Sequence, residues 1–459
     1  MNKAPLFLLP LALAATGCLL GPDFESPERP AGVPESFRGA ATNETAAVPG
    51  DVVQWIAAWN DPVLDSLVAE GLSSNLTLQA TAARIVESRA SFRQSLAALS
   101  PSLGIGGGAT KNKTWDPDDS SKAFRAAADA GWEIDLFGKN LRAAEASLAE
   151  YEVAGLTYED ARLSLAAEIA ADYVQLRLAQ TQLDIARTNL EAEIASAEIA
   201  RAKGESGFTA GSDVAAAEAA IATARAAIPA RETAVSAAAR ALEKLLAKGP
   251  FELEAALEAA APVPTVPAPP AVAPAEVLAR RADVRKAEAS LHAATARIGV
   301  ARAARYPSIS LAAGYSASAA DLAEWSNAMK SFSFGPTVNL PLFQGGRLRA
   351  AEDQARAAAD ESLLQYHDTV LSAIHETQDF WTRLSAEQTR EELLAAAVKH
   401  DEDALEAAQS LYRAGRADYT TVIVRQTALL SARQAYAQHS ADLATLSISL
   451  MKAIGGPIR

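Results

Sequence analysis

The sequence predicts a mainly helical chain with a small β part, built as long antiparallel helical hairpins joined to four strands by a tandem duplication. Three observations carry this. Residues 347–414 hold neither glycine nor proline over 68 positions and consist largely of Ala, Leu, Glu, Gln and Arg, all good helix formers. Four short segments alternate apolar and polar residues, the period-two pattern of strands with unlike faces. The chain also repeats itself: Pro101 and Pro307 stand 206 residues apart, as do Phe137 and Phe343. Leu141-Arg142-Ala143-Ala144-Glu145 returns 207 residues later as Leu348-Arg349-Ala350-Ala351-Glu352, and Gly249-Pro250 returns as Gly456-Pro457 at the same spacing.

The elements follow in order. Residues 1–17 have the parts of a secretory signal: Lys3, an apolar run from Leu6 to Leu13, then Ala14, Ala15, Thr16 and Gly17. The run is too short for a stable membrane span. Cys18 follows at once and is the only cysteine, so no internal disulfide exists. Its setting resembles a bacterial lipobox, in which the thiol is acylated, with Ala15 where such boxes usually carry leucine. Residues 18–99 read as an N-terminal segment and first helices, 100–260 as the first repeat, 261–275 as a proline-rich linker and 276–459 as the second repeat.

Each repeat opens with two alternating segments, 102–110 with 124–136 and 308–318 with 331–342, separated by stretches that read as loops at 111–123 and 317–329. A long helix follows, 141–203 in the first repeat and 347–414 in the second. At 1.5 Å per residue these measure about 95 and 100 Å. A glycine turn leads into return helices at 212–248 and 420–454, with a kink expected at Pro229. Helices of this length fit coiled-coil-like hairpins better than one compact core.

A net charge of −14 argues against nucleic acid as a partner. An exported chain with no long apolar span can cross a membrane only as a closed β-barrel. Four strands cannot close, since membrane barrels begin at about eight; two or three copies would suffice. In such a barrel Asp129, Glu133, Asp135, Ser333 and Asn339 would line water. Trp115, Trp132, Tyr315 and Phe332 would sit at the interfaces. The competing reading is a lipid-anchored structural coiled-coil protein whose small hairpins pack on helices.

Longer stretches carry a family likeness. Cys18-Leu19-Leu20-Gly21-Pro22-Asp23-Phe24, the segment 59–85 opening Trp59-Asn60-Asp61-Pro62-Val63-Leu64, and the segment 278–311 around Arg280-Arg281-Ala282-Asp283-Val284 resemble the TolC-like outer-membrane efflux channels. The likeness is to their lipoprotein branch, which works with resistance-nodulation-division pumps; Ala282 stands where that branch has proline. The resemblance implies a homotrimer with a twelve-stranded barrel and a helical periplasmic tunnel. It implies a periplasmic adaptor and an inner-membrane pump as partners, outer-membrane lipid around the barrel, no cofactor and no catalysis. It also implies a passive duct for small molecules, with a type I protein secretion duct as the alternative.

In that family the tunnel narrows where the helices turn. Gly207 with Asp213 matches the first turn, and Gly415 with Thr421 the second, where aspartate is usual; Asp418 stands nearby. Asp213, Asp418 and Thr421 are therefore the aperture candidates, although Asp213 also suits a helix cap. Arg201, Gly207, Tyr412, Arg413, Gly415 and Arg416 are candidates for hairpin tips and adaptor docking. Enzyme-like patterns fail: Gly104–Ala109 is followed by no helix, and His367 and His375 lie eight residues apart, not four.

Overall fold

The computed structural model of the chain describes residues 19–28, 30, 32–38, 52–115, 118–206, 211–253, 257, 261–264, 267 and 272–455. The signal segment, Cys18 and Gly207 lie outside them. The helices are α1 (Val52–Ala57), α2 (Pro62–Ser74), α3 (Leu76–Ala97), α4 (Lys139–Glu205), α5 (Gly211–Leu245), α6 (Pro274–Arg280), α7 (Ala282–Ala303), α8 (Arg347–Arg413) and α9 (Tyr419–Ala453). The strands are β1 (Ser102–Trp115), β2 (Asp118–Ile134), β3 (Ser308–Ala319) and β4 (Met329–Asn339). The long helices of the two repeats are equal, 67 residues each, and so are their returns, 35 each. That equality is the duplication expressed as structure.

The described residues form two units, and each takes chain from both repeats. The first lies within Met1–Arg29, Ala83–Leu156 and Arg285–Thr369. It holds the sheet, ordered β1-β2-β3-β4 with every neighbour antiparallel. The β2–β3 pairing, Phe124↔Ala319 to Ile134↔Ile309, joins the hairpin of one repeat to that of the other. Among the described residues β1 and β4 keep an unpaired edge each.

The second unit lies within Pro30–Ala82, Thr157–Val284 and Val370–Arg459. Its core is set by Tyr173, Ile169, Leu176, Leu242, Leu246, Leu450 and Ile454, all fully buried. The Asp61-Pro62 pair starts α2: Asp61 accepts from the Val63 and Leu64 N–H groups, and Pro62 takes the first helical position. Its second carboxylate oxygen accepts from the Tyr173 hydroxyl at 2.5 Å. Buried Glu243 accepts from Phe251 N at 3.1 Å and Leu253 N at 2.9 Å, holding the turn after α5.

Two expectations need correction. The stretch 111–123 is mostly strand, with β1 running to Trp115 and β2 starting at Asp118. Lysine, asparagine and serine there mimic a loop because the strands outrun their apolar band. The stretch 317–329 contains the end of β3 and a short 3-10 turn, Leu322–Asn327. Pro229 stands inside α5, which runs on through it to Leu245. The break between α6 and α7, where proline is usual, survives at Ala282. There Arg281 is extended and its guanidinium holds Asp283.

Candidate functional site

The sheet has two unlike faces. Register places Leu103, Ile105, Phe124, Trp132, Ile309, Leu311, Tyr315, Phe332, Phe334 and Val338 on one of them. Ile105 is 86% exposed and Phe332 71%, so among the described residues no helix covers those positions, as a soluble hairpin would require. From Phe124 to Ile134 the band measures about 33 Å along β2. At a tilt of about 40° that is about 25 Å of height, the band a membrane barrel shows.

The opposite face is lined by small groups, among them Ser310, Gly314, Ser316, Ser331, Ser333 and Thr337. Four of the five residues expected to meet water share it. Asp129, Gly314 and Ser333 lie side by side across three strands. Glycine leaves room in the middle: a Cβ there would sit 3.1 Å from Ser333 Oγ and 3.3 Å from Asp129 Oδ1, so either side chain would have to shift. Glu133 takes the Lys139 ammonium at 2.7 Å, and Asn339 closes β4 opposite Ser308. Asp135 is drawn away: it lies past the end of β2 and accepts from Leu141 N at 2.8 Å, serving the start of α4.

The two hairpin turns lie in the second unit, where α4, α5, α8 and α9 share one apolar cluster: Ala197, Ala200, Ala217, Ile221, Tyr412, Tyr419 and Val422. Alanine at three of these positions lets the helices approach closely. Gly415 ends α8 with φ +71°, and the bonds Arg416 N to Leu411 O and Gly415 N to Tyr412 O complete a Schellman turn. Asp418 is the N-cap residue of α9 but its carboxylate makes no cap bond; it is exposed, as are Thr421, Arg413 and Arg416. Asp213 lies in the first turn of α5, half-buried and near enough to Tyr419 to act on its hydroxyl.

Two docking candidates are otherwise engaged. Arg201 bonds Glu218 across its own hairpin at 2.9 Å. Tyr412 is buried against Tyr419, ring centroids 5.3 Å apart, and carries Lys203 Nζ 4.1 Å from its ring centroid. Aromatic area this large is better packed than exposed.

Sequence reasoning missed the polar groups walled in beside this cluster. Glu193, Tyr419 and Gln426 are all buried, and Glu193 Oε2, the Tyr419 hydroxyl and both Gln426 amide atoms lack hydrogen-bond partners among the described residues. Burial pushes the Glu193 carboxyl above its ordinary range. Burial first, then the charges of Glu193 and Asp213, push the Tyr419 hydroxyl up to about 12. The signal was available: Glu193 leads Ala197 and Ala200 at helical spacing, and Gln426 follows Tyr419 and Val422.

Comparison with known proteins gives one answer throughout. The profile of the family described as outer membrane efflux protein matches residues 67–248 and again 273–456, once per repeat. The probable efflux pump outer membrane protein TtgC of Pseudomonas putida is 29% identical over 99% of this chain and 96% of its own length. The cation efflux system protein CusC of Escherichia coli is 29% identical over 99% of both. The solved outer-membrane channel OprN superposes with a TM-score of 0.84 at 30% identity, covering 96% of this chain and 99% of that one.

Proposed function

Because the chain belongs to the outer membrane efflux protein family, we propose that three copies pool their sheets into one twelve-stranded barrel and their helical hairpins into a periplasmic duct. The protein is an outer-membrane channel of a tripartite efflux system. In the proposed assembly it is a passive conduit that receives small molecules from an inner-membrane pump through a periplasmic adaptor. The observation that carries this is the four-stranded sheet, with an exposed apolar face, a small-residue polar face and two unpaired edges. Three such sheets joined edge to edge put the apolar faces against lipid and the polar faces around water. Acylation of Cys18 would add a second hold on the same membrane. Asp213, Asp418 and Thr421 would stand near the narrow end of the duct, with Arg413 and Arg416 on the surface an adaptor meets.

The test is the mass of the purified protein in detergent together with its single-channel conductance in planar bilayers. Pores from a species of three chains support the reading. A monomeric, water-soluble species overturns it in favour of a lipid-anchored coiled-coil protein.

A further inference from the structure

We propose that the turn end of the sheet's apolar face binds the phosphate groups of an anionic lipid leaflet through Lys111, Lys113, Lys122 and Lys330. The inference rests on the reading that this face meets lipid.

Lysine is scarce here. The chain has twelve in 459 residues, and four of them fall at this one place. Arg125 is the only arginine in the strands. Lys111 stands directly opposite Lys122, Lys113 follows two positions along β1, and Lys330 lies opposite Ala317, itself opposite Ala126. All four share register parity with Ile105, Phe124, Tyr315 and Phe332, so they continue the apolar face beyond its band. All four are exposed.

Opposed like charges destabilise a strand pair, so the Lys111–Lys122 pairing needs counter-charge from outside. Among the described residues Lys111, Lys122 and Lys330 have no carboxylate partner. Four acids stand at this end among the described residues: Asp118, on the lysines' own face by register, and Asp119 on β2, with Asp321 and Glu324 between β3 and β4. Asp118 holds the register position opposite Trp115, and Asp321 accepts from Ala323 N in the β3–β4 connection. Asp129 and Glu133 belong to the other face. Lys113 Nζ lies 4.2 Å from the Trp115 ring centroid, pairing a cation with an aromatic as at a membrane interface.

Lysines on edge strands also deter unwanted pairing. That account covers β1 and β4 but not Lys122, which stands on β2, and it does not explain confinement to one end. A row of flexible ammonium groups just past an apolar band suits lipid phosphates, with stems lying along apolar surface and heads reaching out.

The test uses the full-length protein in vesicles of phosphatidylcholine containing a minor share of phosphatidylglycerol. Native mass spectrometry of the extracted protein reads the lipids it retains, and protease protection of the strands reads insertion. Wild type is expected to retain phosphatidylglycerol about tenfold above its share, less at high salt. The variant with Lys111, Lys113, Lys122 and Lys330 all changed to Gln should insert but retain lipid at the vesicle ratio. Arginine at the same four positions should restore the preference. Gln at Lys244, Lys286, Lys399 and Lys452 should leave it intact. Unchanged enrichment in the first variant overturns the lysine site and leaves the channel reading standing. Strands of the wild type digested in these vesicles overturn the channel reading and this inference with it.

Discussion

Arg142 and Asp23, 119 residues apart in sequence, meet at 2.6 Å, with the arginine side chain 2% exposed and the aspartate 83%. Arg142 also donates to Glu145 at 2.8 Å and to the Leu20 carbonyl. Gly21 lies so close to Gly299 that a Cβ on it would stand 2.5 Å from the Gly299 Cα. Phe24 stacks on His292 at 4.4 Å, and His292 Nε2 is 3.0 Å from Glu145 Oε1. The segment that begins just after Cys18 is thus seated on α4 and α7. Arg142→Ala is expected to cost about 2 kcal/mol and to open this segment to protease, because the segment loses the bonds to Asp23 and the Leu20 carbonyl that seat it. Asp23→Ala, losing a bond at an exposed partner, should cost less than about 1 kcal/mol. Thermal unfolding in detergent with N-terminal proteolysis separates the two.

Arg281 joins three chain segments: it bonds Asp283 at 2.7 Å, Glu376 at 2.8 Å and the Ala453 carbonyl at 2.9 Å at the end of α9. Burial would raise the Asp283 carboxyl, but the Arg281 bonds outweigh it and hold it below its ordinary range. Asp283 therefore stabilises the fold above the unfolded carboxylate pKa of about 3.9, and that contribution is lost as pH falls through the lower folded value. Arg281→Ala is expected to lower stability by about 3 kcal/mol at neutral pH and to flatten the acid limb of a melting-temperature profile.

Glu193 has the opposite sign. Its folded carboxyl is raised by burial, so stability is greatest below the unfolded value of about 4.3 and falls as pH rises through the folded one. Glu193→Gln is expected to stabilise by about 1 kcal/mol at neutral pH and by nothing in acid. Melting curves at both pH values check it; equal gains at both would exclude the charge as the cause.

Ala247 ends α5 in a left-handed conformation, φ +55°, with Lys248 N bonded to Glu243 O. The turn is the one Gly415 makes after α8, but with a Cβ in it. Ala247→Gly should stabilise by about 1 kcal/mol, read as a higher melting temperature with unchanged secondary structure.

Asp129 and Arg125 share the polar face of β2, four residues apart. In planar bilayers Asp129→Asn is expected to weaken preference for cations over anions, and Arg125→Gln to strengthen it. Reversal potentials in a salt gradient report both, and shifts of the same sign would remove this face from the conduction path.

The parts legible in the sequence were those that repeat or keep a period. The helix α8 declares itself through missing glycine and proline, α4 through its repeat of the same composition with only Gly155 and Gly204 inside it, and Phe124 to Ile134 through alternation. What stayed hidden depends on distant partners. Lys111 and Lys122 resemble loop residues until the register sets them opposite each other. Asp135 alternates like a strand residue, yet a helix N-terminus claims it. Glu193 and Gln426 have the chemistry of surface residues, and only the closing of four alanine-rich helices shuts them in.

The unpaired edges of β1 and β4 carry a consequence for genetics. In the proposed three-copy barrel the ring is only as sound as its worst member, because each edge would have to find its match in another copy. An allele that spoils one edge, such as proline placed within β1, which has none, would disable the normal copies it joins. Such an allele is expected to act dominantly when expressed beside the wild type, whereas one that merely prevents folding would be recessive.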